Sequence, residues 1–193
     1  MSQKDIASFC PKNRADWRKW LEKNHSTEKA IWLVYYKSST NVATLTWSEA
    51  VDEALCFGWI DSTKKTIDHE RYMQYFSKRK AKSNWSKINK EKVAKLSQTK
   101  LMTKAGYDSI EIAKQNGSWT FLDSIEALEM PDDLIVALKN AKGALEFYEG
   151  LSNSNKKILL YWVASAKRAE TREKRIFEIA ENASMRLKPK QFR

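Results

Sequence analysis

The apolar run AIWLVYYKS, residues 30–38, is too short for a helix of ordinary length and is rich in β-branched and aromatic side chains, which predicts a strand. STNVAT, residues 39–44, follows it with turn chemistry. From residue 47 the period becomes helical: Trp47, Ala50, Val51, Ala54 and Leu55 fall at i, i+3, i+4, i+7 and i+8. Thr46 with Glu49 three positions on reads as a capping box, and Gly58 as the stop, so the expected helix covers about 47–57. WIDSTKKTIDHERYMQYFSK then holds two extended runs around a polar TIDHE centre and predicts a β-hairpin.

Beyond Arg79 the pattern is helical throughout. Ser83 is the expected N-cap of a helix over roughly 84–97, a second helix covers about 103–116 up to Gly117, and Pro131 takes the first position of a third. Asn153 to Met185 contains no Pro or Gly, which predicts one long helix or two with a tight joint. The expected fold class is α+β, a small antiparallel three-stranded sheet packed with helices and followed by a helical C-terminal half. GLSNSN, residues 150–155, marks the expected boundary: residues 1–149 form an α+β domain with a basic hairpin and helix, and residues 150–193 a helical segment on the same core.

Composition supports an ordered chain: 42% of the 193 residues are hydrophobic and eight are Trp, with only five Gly and three Pro. The N-terminus carries Lys4 and Asp5 and has no apolar signal region, and no eighteen apolar residues run together, so a cytoplasmic protein without a membrane span is expected. Cys10 and Cys56 lack a CxxC spacing and have neither His25 nor His69 close by, which argues against a zinc site; no cofactor or metal is expected. Charge changes the picture more. The net charge is 0 over residues 1–61, +10 over 62–104 and +1 over 105–193, so one segment holds nearly the whole excess and points to an anionic partner.

Within that segment YFSKRKAKSNWSK interleaves Tyr75, Phe76 and Trp85 with Lys78, Arg79, Lys80, Lys82 and Lys87, the mixture that stacks bases and neutralises phosphates. On the helix beginning SNWSKINKEKVAKL, Trp85, Ile88, Val93 and Leu96 share one side and Asn89 projects into it, either as a buried amide satisfied by backbone or as a ligand contact. Further on, Arg168, Arg172 and Arg175 make a like-charged stripe at i, i+4 and i+7. On a continuous helix Glu173 would fall on the apolar face with Trp162, Ala169 and Ile176 and would need a partner, whereas a kink near 168 removes that need.

For catalysis the inventory is thin. Cys56 stands near a helix C-terminus, where the dipole disfavours a thiolate, and His69 falls in the expected hairpin turn. No P-loop, GxSxG, HExxH or dinucleotide fingerprint is present. Asp61 shares a strand face with Trp59, where it either anchors a basic residue or edges a pocket.

Taken together, EALCFGWIDS, SKRKAKSNWSKIN, GYDSIEIAKQNGSW, MPDDLIVAL and WVASAKRAETREKRI resemble the YdeI/OmpD-associated, or bacteriocin-protection, family from about Trp17 to Ile176. The resemblance implies a stress or antimicrobial-resistance association and no catalytic residues. The leading expectation is a non-enzymatic protein binding an anionic small molecule or acidic protein partner through Arg79, Lys82 and Trp85 with Arg168, Arg172 and Arg175. Two alternatives stay open, a nucleic-acid-binding protein and an enzyme with a pocket at Trp59, Asp61 and Asn89.

Overall fold

In the computed structural model, which describes residues 6–40, 42 and 44–193, the expected strand at residue 30 is the centre of a sheet. Lys4 and Asp5, and Asn41 and Ala43 of the expected turn, lie outside the described residues. The sheet has four strands in the order β1-β2-β4-β3: β1 (Ser8–Phe9), β2 (Ala30–Tyr36), β3 (Trp59–Thr66) and β4 (Arg71–Lys78). β2 and β4 pair antiparallel from Ala30↔Ser77 to Tyr36↔Arg71, and β3 and β4 form the expected hairpin, with a register shift between Asp61 and Lys64. β1 pairs parallel to β2, Ser8 opposite Trp32, so the sheet is mixed and four-stranded rather than antiparallel and three-stranded. Two residues are too few to show a period of two, which is why no pattern marks β1.

The chain divides at Thr120/Phe121 into two compact units. In the first, α1 (Arg14–Asn24) and α2 (Trp47–Cys56) set Trp17, Leu21, Val51 and Leu55 against Ile31, Leu33 and Phe76 of the sheet. α2 begins on the expected box: Thr46 accepts from the Glu49 N–H, and Glu49 accepts from the Thr46 N–H at 2.9 Å. It ends at Gly58, in the left-handed region at φ +70°. α3 (Lys87–Gln98) and α4 (Lys104–Gln115) complete the unit.

α3 starts three residues later than expected, because Ser86, not Ser83, accepts from the Asn89 N–H. Trp85 therefore lies outside the helix and is 1% exposed, while Ile88, assigned to the same apolar side, is 62% exposed. Only Val93 and Leu96 of that set are buried on α3 itself.

The end of α2 and the start of α4 approach closely through their backbones. The Cys56 carbonyl accepts from the Thr103 N–H at 3.1 Å and the Thr103 hydroxyl at 2.7 Å, and a Cβ on Gly106 would lie 2.4 Å from that same oxygen. Glycine at 106 is thus a condition of the close approach.

The second unit comprises α5 (Asp123–Glu126), α6 (Asp132–Asn140), α7 (Ala144–Glu149), α8 (Asn153–Ala164) and α9 (Ala169–Ser184), with its own core around Leu134, Leu138, Leu160, Val163 and Ile179. The boundary expected at 150–155 falls inside this unit, as the link between α7 and α8. Pro131 is the N-cap of α6, one position before the helix proper. The stretch from 153 is two helices broken at 165–168, so Glu173 is exposed and needs no buried partner. No helix among the described residues is long and apolar enough to cross a membrane.

Candidate functional site

Arg79 leaves β4 with its N–H on the Gly58 carbonyl, 2.9 Å, and turns its guanidinium flat over the Trp85 ring, 3.7 Å from the centroid. The next residues place Trp85 there: its N–H donates to the Ser118 carbonyl at 3.2 Å, while the Asn116 side chain holds the Ala81 carbonyl at 2.7 Å. Nη2 of Arg79 donates to the Asn84 carbonyl, but Nε and Nη1 are enclosed without an acceptor, and so is the Trp85 indole N–H. Burial, only partly offset by Asp61, pushes Arg79 down to about 10. Three buried donor nitrogens in one stacked pair thus lack an acceptor, a costly arrangement for a chain left to itself.

Aromatic rings and cations alternate outward from this pair. Trp119 sits 5.0 Å from Trp85, and Lys90 and Lys114 lie over the Trp119 ring at 5.2 and 5.9 Å. On its other side Arg79 borders a cavity of about 420 Å³, lined also by Lys78, Lys80, His25, Phe57 and Ser109. The His25 Nδ1 is 2.8 Å from the Leu21 carbonyl and so carries its proton there, and the ring rests on Phe57 at 5.1 Å. Lys78 reaches back to the Ser26 carbonyl, 2.6 Å, and Lys80 and Lys82 are exposed.

The other expected site residues are placed elsewhere. Trp59 is fully buried, its indole N–H on the His25 carbonyl at 3.3 Å. Asp61 Oδ2 accepts from the Trp47 indole, 2.9 Å, and from the Gln74 amide, 3.0 Å, so its anchored groups are neutral rather than basic. Asn89 is half-buried on the first turn of α3. The arginine stripe belongs to the second unit: Arg168 is the exposed N-cap of α9, Arg172 is bidentate to Asp133 at 2.7 and 2.9 Å, and Arg175 holds the Trp162 carbonyl and the Ser165 hydroxyl.

A second buried charge escaped the sequence reading. Glu53, 2% exposed, accepts from Arg14 Nε at 2.6 Å and Arg18 Nη1 at 2.7 Å, and Arg18 also donates to the Leu101 carbonyl at 3.0 Å. Beside it burial and the Glu53 charge push the Cys56 thiol up to about 11, which removes it as a nucleophile at neutral pH. Trp119 and Glu53 went unmarked by periodicity, and Trp47, expected at the head of the apolar stripe of α2, is instead 47% exposed; for Glu53 the signal available was its place three residues after Ala50, on the same side of α2.

Residues 9–109, just over half of the chain, match the family described as a domain of unknown function (DUF8412). Residues 127–185 match the family described as bacteriocin-protection, YdeI or OmpD-associated. The chain belongs to the first of these families, and the second match is confined to its C-terminal part. No curated protein and no solved structure matches it. The first match contains the ALCFGWIDS stretch and Arg79 with Trp85, and the second the arginine stripe, so the two expected basic clusters belong to different family regions.

Proposed function

We infer that this is a non-enzymatic, cytoplasmic binding protein whose ligand carries an anionic group, held beside the Arg79–Trp85 pair. The observation that carries the reading is the set of three enclosed donor nitrogens without an acceptor, in a stacked pair whose cation is disfavoured by its own burial. An anionic oxygen approaching from the adjoining cavity, where Lys78 and Lys80 add positive charge and the lining carboxylate, Asp108, is paired with Lys104, offsets the desolvation of Arg79 and gives those donors a partner after a small side-chain adjustment. A stress or resistance role exerted through such a ligand or an acidic partner accords with the description bacteriocin-protection. The cation and ring ladder through Trp119 supports nucleic acid as the alternative ligand, since bases stack on rings and phosphates pair with the flanking lysines.

Titration calorimetry with inorganic phosphate, a nucleoside monophosphate, an acidic peptide and a short single-stranded oligonucleotide, each at several salt concentrations, tests both readings. Binding of at least one of these anions, weakened about ten-fold or more in Arg79→Gln, is expected. Should the oligonucleotide alone bind, with log K falling against log salt by about 0.7 for each phosphate engaged, nucleic acid is the ligand. Absence of binding by all four at low salt rejects the reading.

A further inference from the structure

We propose that the first unit carries a second, separate site, a cleft beside Trp47 that binds a pyranose ring. Of the eight tryptophans, seven are buried or half-buried and Trp47 alone is exposed, at 47%. Its ring is nevertheless fixed. The indole N–H donates to Asp61, the same carboxylate oxygen takes the Gln74 amide, and Gln74, only 5% exposed, also donates to the Ser62 carbonyl at 2.9 Å. An exposed indole satisfies its N–H equally well with water, so a relay that commits a carboxylate and a buried amide to aiming it exceeds what the fold requires. A flat apolar face held in one orientation in solvent is a preorganised stacking platform.

The cleft it borders has a volume of about 620 Å³. Among the described residues its polar side chains are hydroxyls, such as those of Ser38, Ser39 and Thr66, and the ammonium groups of Lys37 and Lys64; none is an amide or a carboxylate. Thr44 contributes a hydroxyl that is enclosed without any partner. Hydroxyls both donate and accept, which suits a ring bearing several hydroxyls of its own. A nucleobase edge asks instead for the fixed forks of amides, carboxylates or guanidiniums. One face of a pyranose is lined by C–H groups and lies flat on an indole, and its rim then meets the hydroxyls. Lys64, whose ammonium stands 4.2 Å over the Tyr72 ring at the same cleft, adds a positive charge that favours an acidic sugar over its neutral parent.

Saturation-transfer NMR and calorimetry on the full chain, with glucose, N-acetylglucosamine, glucuronate and adenosine as probes, decide the matter. The expected result is saccharide binding with Kd on the order of 1 mM, several-fold tighter for glucuronate. Trp47→Ala is expected to lower the affinity about ten-fold or more, and Lys64→Ala to erase the preference for glucuronate, with far-UV circular dichroism unchanged in both. Arg79→Gln leaves saccharide binding intact, which separates this site from the anion site. The proposal is overturned if no saccharide binds at tens of millimolar, if adenosine binds and the sugars do not, or if both cleft variants bind sugar as the unaltered chain does.

Discussion

Glu53 and Arg79 are both charges drawn into the first unit, and the chain completes one and not the other. Both carboxylate oxygens of Glu53 meet a guanidinium, and one of those arginines is itself held by a backbone carbonyl. Arg79 receives one carbonyl and one ring face, and two of its nitrogens are enclosed without a partner. On the function proposed for Arg79, the difference separates structure from recognition. A charge whose partners all come from the chain fixes the fold around it, whereas one left short of acceptors retains capacity for a partner from outside.

Breaking the completed charge should have the largest effect. Removing both guanidiniums, as Arg14→Ala with Arg18→Ala, leaves a carboxylate enclosed and unpaired, and urea unfolding is expected to show a loss of about 3–5 kcal/mol. A loss below about 1 kcal/mol would mean that Glu53 is not the structural charge its geometry implies. Replacing the incomplete charge should cost far less. Arg79→Met keeps an apolar stem against Trp85 and removes the poorly matched cation, so stability should change by no more than about 1 kcal/mol while anion binding is lost. A loss as large as that of the double variant would make Arg79 a second structural charge and erase the contrast.

The smallest effect belongs to an exposed pair. Arg172 holds the Asp133 carboxyl below its usual range, but both side chains are about one-third to one-half exposed, so solvent screens the pair and Asp133→Asn should cost at most about 1 kcal/mol at pH 7. The sign follows from the lowered value. The contribution is fully present above the ordinary carboxylate pKa and disappears as pH falls through the lowered one, so the two proteins should unfold alike at a pH below it. A difference that survives at that pH would assign the effect to something other than the charge.

The contrast between local and distant partners also explains what was legible in the sequence. The Thr46–Glu49 box and the Gly58 stop are decided within a few residues, so the start and end of α2 could be read directly. Ser86 prevails over Ser83 because Trp85 is pulled out of the helix toward Arg79 and the Ser118 carbonyl, a choice no window on α3 contains. Alternation placed Asp61 on a face with Trp59, but its partner Trp47 comes from another element, so neither the anchored indole nor the cleft beside it was visible. Glu53 was hidden for a related reason, since its arginines stand 39 and 35 residues away on α1. The break at 165–168 was open in the sequence, and the separate α8 and α9 resolve it by letting Glu173 face solvent.

The junction at Cys56 has a further consequence for a chain made from its N-terminus onward. The start of α2 is capped by a residue three positions away, so it has its partners as soon as it is synthesised. Its end is not. The Cys56 carbonyl waits for Thr103, 47 residues later, and the space against it is shaped for Gly106. Until that point has been translated, the ALCFGWIDS stretch has its local turns but lacks the surface that closes over them. Any fragment ending before residue 103 carries this stretch in an unfinished form.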